Sequence, residues 1–228
     1  MRITVSRALV GWLAAWNVLI NRVIPEHLYV PANLLAAGAT YGAARLAGHS
    51  ARELGTSTTA MRRGVALGIG GAAVAAGGAF VASKLELTRD FFNDARVHED
   101  DVVYQTLVRI PCGTVVLEEV AFRSVLPAVL HDALPGDVSQ SSALAFGLWH
   151  VLPTLSTLDI NGVTDPAVRR QAVVMGVAAT ALAGMVLDSL QRRSRSVLTP
   201  MLLHWGINAA AYALAARYES HSHDEAAR

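Results

Sequence analysis

Arg63 and Lys84 bracket a run, Gly64 to Ser83, that contains no charged residue. A run of that length crosses the hydrocarbon core of a bilayer as a helix. Charge-poor stretches recur at 8–21, 28–44, 102–130, 138–158, 171–187 and 196–216. Together they predict an all-α fold, a polytopic transmembrane bundle of about seven helices. The first stretch is short for a full span, so six spans and one interfacial helix is the alternative count. With 53% hydrophobic and 16% charged residues, the chain is too apolar for a soluble domain of its size. It reads as one transmembrane domain over 1–220 and a polar, frayed tail over 221–228 that carries His221 and His223. No repeat, low-complexity linker or second-domain signal is present.

The basic residues set an expected orientation. Arg2 and Arg7 precede the first helix, Arg45, Arg52, Arg62 and Arg63 follow the second, and Arg192, Arg193 and Arg195 follow the sixth. Seven spans bring all of them to one side, so the positive-inside rule places the N-terminus in the cytoplasm of what is expected to be a bacterial plasma membrane. The acidic connection with Glu86, Asp90, Asp94, Glu99, Asp100 and Asp101 then lies outside. Arg2 and Arg7 ahead of Ala8 to Ile20 imitate a signal peptide, but no clear small-residue cleavage site follows, and the stretch reads as a retained first helix. A net charge of +1, with no basic stripe interleaved with aromatics, gives no footprint for nucleic acid. Cys112, the only cysteine, excludes an intrachain disulfide and reads as a small buried apolar side chain. Gly68, Gly70, Gly71, Gly77 and Gly78 favour a tightly packed third helix. Trp12, Trp16, Trp149 and Trp205 fit either an interfacial belt or the bundle interior.

Against this apolar background a few polar residues stand out. Glu118 and Glu119 lie inside an apolar stretch, where an ionised carboxylate costs several kcal/mol unless paired or hydrated. Arg123 follows Glu119 at the spacing that puts both on one helix face, so the two can pair, or simply stitch helices together. Glu118 points about 100° away and stays free for another partner. Phe146 and His150 share a face of the fifth segment, and His204 and Asn208 share a face of the last. One free carboxylate, two imidazoles and a carboxamide on three apolar helices are hard to explain as separate structural hydrogen bonds.

The strings EEVAFR at 118–123, FGLWH at 146–150 and HWGIN at 204–208 fill the patterns EExxxR, FxxxH and HxxxN in that order. In this the chain resembles the CPBP family, intramembrane proteases that include type II CAAX prenyl endopeptidases and bacterial bacteriocin-processing and self-immunity proteins. The resemblance runs from the amphipathic stretch around Phe91 to Arg96 through the last helix. It implies an endopeptidase acting on a membrane-associated peptide or protein. Glu118 resembles the catalytic carboxylate and Glu119 a second acidic position supported by Arg123. His150 resembles its partner at the attacking water, and His204 with Asn208 the polar pair facing the substrate carbonyl. Peptide hydrolysis needs a deprotonated water, a proton for the leaving amine and donors for the oxyanion, and these side chains can supply them.

Glu118, His150 and His204 would also make a zinc ligand set with an open position for water, and the family is often called a metalloprotease. The HExxH spacing is missing, and a Glu with a His activates water without a metal, which favours a glutamate-dependent mechanism with Zn as the alternative cofactor. Two other functions compete: a non-catalytic membrane scaffold or immunity protein of the same fold, and an ion-coupled transporter, for which no inverted repeat speaks. The loop from Leu85 to Asp101 reads as a lid or interfacial segment. Nothing in the sequence signals the oligomeric state or the scissile bond.

Overall fold

A computed structural model describes residues 2–86, 88, 97, 101–134 and 136–226, with backbone alone at 2–3 and 218–226. The described residues contain helices and no strand. The helices are α1 Arg2–Arg22, α2 Tyr29–Leu46, α3 Thr58–Ala82, α4 over 102–133, α5 Ser139–Ile160, α6 Pro166–Ser194 and α7 Leu198–Ala226. These seven are the expected bundle. By length and composition α3, α5 and α6 are apolar enough to cross a membrane, and they turn Leu67, Val74, Leu144, Met175 and Leu182 outward. The helix α7 carries its backbone through the tail expected to fray, and the side chains of His221 and His223 lie outside the described residues. So does most of the acidic connection and proposed lid, including Asp90, Asp94, Glu99, Asp100 and the stretch 91–96.

The central element is α4, with α2 along both halves, α7 mainly against its first half and α1, α5 and α6 against its second. Leu117, Ala121, Phe122 and Leu126 of α4 form the main apolar cluster with Leu13, Ala36, Phe146 and Trp149. Cys112 is only partly buried, a correction to the buried apolar role expected of it.

Prolines decide where the polar side chains of the bundle go, because each removes a backbone donor and orphans a carbonyl that lipid cannot satisfy. Helix α4 has wide π turns over Gln105–Val115 and Val120–Val125, so its bonds reach back five residues. Pro111 therefore leaves Thr106 O without a donor, and Trp205 Nε1 of α7 takes it at 2.7 Å. The amide of Leu126 bonds Ala121 O, and residue 127 is a proline. That orphans Phe122 O, which accepts from Ser142 Oγ of α5 at 2.6 Å. Pro153 breaks α5 at His150 (φ −83, ψ 0), and the freed Trp149 O accepts from Asn17 Nδ2 of α1 at 2.9 Å. All four tryptophans turn out to donate inside the bundle, Trp12 to Thr40 Oγ1, Trp16 to Asn33 Oδ1 and Trp149 to Glu118 Oε1 being the others. Trp149 is buried and Trp16 and Trp205 are half-buried, which is the interior alternative, whereas Trp12 remains 38% exposed.

The basic loops meet on one face, as seven helices require. Val197 N–H bonds Gly55 O at 3.0 Å, which joins the loop after α2 to the loop after α6. Val5 and Ala8 of α1 line a groove with Ala44 and Ala47 at the end of α2, so the start of α1 shares that face. On the opposite face Asp159 pairs with Arg22 at 3.9 Å and Arg169 at 2.8 Å.

The glycines divide by surroundings. Gly68 approaches Leu202 and Gly71 approaches Leu203 of α7, whereas Gly70, Gly77 and Gly78 face open space, so only part of the expected tight packing runs through them. A close approach beside the polar cluster is at Gly147, where a Cβ would stand 2.6 Å from Val177 O and 2.9 Å from Ala181 Cβ of α6. Gly147→Ala must push two backbones apart, and we expect it to destabilise the protein by about 1–3 kcal/mol. Gly70→Ala should stay within about 0.5 kcal/mol of wild type. Equal unfolding midpoints for the two variants in detergent would refute this account of the α5–α6 crossing.

Candidate active site

Four of the six residues singled out by the motifs come together directly. Glu118, Glu119 and Arg123 project from α4, and His204 comes in from α7, all of them buried. His204 Nδ1 lies 2.8 Å from Glu119 Oε1, a distance at which the imidazole donates its Nδ1 proton to the carboxylate. That bond orients the ring, and its Nε2 faces Glu118 Oε2 at 3.8 Å. Glu118 Oε1 accepts from Trp149 Nε1 at 3.0 Å. Its second oxygen, Oε2, is buried and has no hydrogen-bond partner among the described residues. One oxygen is thus locked and the other presented.

His150 sits at the break in α5, half-buried. Its Nδ1 lies 2.8 Å from Phe146 O. A carbonyl only accepts, so Nδ1 carries the proton and Nε2 of the neutral ring keeps its lone pair. Asn208, one turn beyond His204, is half-buried and makes no side-chain hydrogen bond among the described residues. The ring of Phe146 ties the histidines together: His150 packs edge-on at 4.6 Å between centroids and His204 at 6.1 Å. No three His, Cys, Asp or Glu side chains gather closely enough to hold a metal ion among the described residues.

Arg123 compensates the charge below the histidines. Its Nε lies 3.5 Å from Glu119 Oε2 and 3.5 Å from Asp188 Oδ1, and its guanidinium stacks over the Phe146 ring at 4.1 Å. Gly184 lets α6 approach closely enough for this: a Cβ there would meet Phe146 Cδ1 at 3.2 Å, and Asp188 follows one turn later on the same face. Two participants are not among the defining positions of the motifs, Trp149 filling an x position of FxxxH. Asp188 is 3% exposed and ends the charge-poor stretch of α6, so it passes in sequence for the boundary of a span. Trp149 is one of four tryptophans with no sequence mark to separate it from the rest. The usable signal for Asp188 is the one that exposed Glu118, a carboxylate directly continuous with an apolar run.

Residues 102–210 match the family model described as type II CAAX prenyl endopeptidase Rce1-like. That segment contains the three motifs, Trp149 and Asp188. No curated protein and no solved structure matches the chain.

Arg123 is 1% exposed between two carboxylates, and removing one partner of such a buried set leaves uncompensated charge. Arg123→Met is expected to lower the unfolding free energy by about 3–5 kcal/mol, and Arg123→Lys to recover only part of it, because an ammonium cannot present the same planar fork. Denaturant titration in detergent reads both. A wild-type midpoint for Arg123→Met would mean that the ion pairs do not hold the bundle.

Proposed function

We propose, from the Rce1-like family to which residues 102–210 belong, that this integral membrane protein is an endopeptidase cleaving a membrane-associated peptide or protein, with Glu118 as the base that activates water. The observation that carries the reading is the state of Glu118. Trp149 holds one oxygen, and the other, without a hydrogen-bond partner, faces His204 Nε2 at 3.8 Å. That gap is too long for a direct hydrogen bond, but an oxygen placed off the axis at about 2.8 Å from both atoms bridges it.

In this mechanism a water gives its proton to Glu118 Oε2 as its oxygen attacks the scissile carbonyl carbon. The lone pair on His150 Nε2 accepts the water's second proton as a hydrogen bond and so aims the nucleophile. The carbonyl π bond opens to an oxyanion, which the imidazolium form of His204, protonated at both nitrogens and donating from Nε2, stabilises together with the Asn208 carboxamide. Collapse of the tetrahedral intermediate breaks the C–N bond, and Glu118 passes its proton to the departing amine. Glu119 holds the His204 ring by its Nδ1 and leaves Nε2 directed at the reacting oxygen. No step runs through a metal. The basic face, with the N-terminus, lies in the cytoplasm of a bacterial cell in this reading.

The test is cleavage of a membrane-anchored peptide library by purified protein in mild detergent. Glu118→Gln keeps the shape and the Trp149 contact, and we expect it to fold normally while losing at least about 10²-fold in rate. A chelator should leave wild-type turnover unchanged, and a chelator-sensitive rate would move water activation to a metal. Cleavage by Glu118→Gln at the wild-type rate would remove the glutamate mechanism. A library left untouched by wild type would leave a non-catalytic scaffold of the same fold as the reading to adopt.

A further inference from the structure

Asp188 is the strongest feature that this mechanism leaves unused. It comes from α6, a helix that carries none of the three motifs, and it is 3% exposed, an expensive location for a carboxylate with no task. Its Oδ1 lies 3.5 Å from Arg123 Nε. The same Nε lies 3.5 Å from Glu119 Oε2, the other oxygen of Glu119 takes His204 Nδ1 at 2.8 Å, and His204 Nε2 faces Glu118 Oε2 at 3.8 Å. Five side chains thus stand in a row of alternating acid and base across three helices, ending at Glu118, with the Glu119–His204 link its one hydrogen bond and the others ion-pair contacts at 3.5–3.8 Å.

We propose that Asp188 is a positioning residue of the site. It acts through Arg123 and Glu119 to fix the ring of His204, and through that ring the geometry at Glu118; the proposal rests on the endopeptidase reading given above. The physical argument is a competition for one cation. Arg123 is shared between two carboxylates at equal distance. With Asp188 present, Glu119 is held from one side only by Arg123 and keeps Oε1 for His204. With Asp188 neutral, the guanidinium is free to turn fully onto Glu119 and form the two-pronged pair that Arg and a carboxylate prefer. Both Glu119 oxygens are then engaged by Arg123, and the His204 bond is the one that gives way. The far oxygen of Asp188, Oδ2, has no protein partner among the described residues. Asp188 also lines a small pocket with His131, Asp137 and Arg192.

The variants are Asp188→Asn, close to isosteric and without charge, and Asp188→Glu, which keeps the charge. Cleavage of the reporter peptide by Asp188→Asn should show kcat reduced about 10- to 100-fold, since an orienting shell typically carries that much, with KM within about twofold. Asp188→Glu should recover most of the loss. In the double variant Asp188→Asn, Glu119→Gln the rate should fall no further than in Glu119→Gln alone, because both act on His204 through one path. A merely structural Asp188 would give losses that multiply. An activity-independent arm follows acylation of His204 by diethyl pyrocarbonate, read by mass spectrometry of the His204 peptide. Labelling should be several-fold faster in folded Asp188→Asn than in wild type. If wild type cleaves nothing, the endopeptidase reading fails, and the labelling rates alone decide whether Asp188 fixes the ring. Unchanged labelling in folded Asp188→Asn, or multiplying losses, overturns the proposal. If Asp188→Asn does not fold, a folded Asp188→Glu with His204 labelled at a several-fold increased rate overturns it, and one labelled at the slow wild-type rate upholds it.

Discussion

A guanidinium that two carboxylates share, in a part of the bundle that water hardly reaches, is the interaction on which the rest of the site depends. Arg123 stands between Glu119 and Asp188, and each of the three would be prohibitive to bury alone. Because they compensate one another, Glu119 can remain deep in the bundle and orient His204. Because His204 is oriented by a neighbour, Glu118 is left with one oxygen uncommitted. The presented oxygen of Glu118 is therefore a product of compensation two and three side chains away. Phe146 is the apolar counterpart of this arrangement, with Arg123 against one part of its ring and both histidines packed edge-on around it.

A second rule shapes the bundle around that site. Lipid offers no hydrogen bonds, so every carbonyl orphaned by a proline has to be met by a side chain from another helix. Pro111, Pro127 and Pro153 each produce such a carbonyl, and Trp205, Ser142 and Asn17 meet them. The donors come from α7, α5 and α1, so the local defects are also the cross-links that set which helices lie side by side. Two of these cross-links adjoin the site directly: Ser142 binds the carbonyl of Phe122, one residue before Arg123, and Asn17 binds that of Trp149, whose indole holds Glu118.

The helices and most of the site were legible in the sequence, for a physical reason that also marks where legibility stopped. Charge is excluded from lipid, so the run from Gly64 to Ser83 announced α3, and Glu118, His150 and His204 announced themselves as exceptions. The same rule hid Asp188, because a charge at the end of an apolar run looks like the water boundary. Only the approach of α6 at Gly184 reveals it as interior. The glycines of α3 failed as a guide for a related reason: composition says that close approach is possible, but Gly70 and Gly77 meet nothing within 4 Å while Gly68 meets α7. The partners of orphaned carbonyls were equally out of reach, since a proline tells which acceptor is freed and never which helix supplies the donor.

The order in which the partners stand along the chain bears on how the protein is made. Membrane helices are synthesised and delivered to the bilayer from the N-terminus onward, so α4 arrives with Glu118, Glu119 and Arg123 before α6 supplies Asp188 and α7 supplies His204. During that interval the only internal compensation available to α4 is its own Glu119–Arg123 pair, four residues apart. The wide turn between them thus leaves Glu119 and Arg123 paired within α4 itself, while Glu118 waits for the partners that α5 and α7 bring.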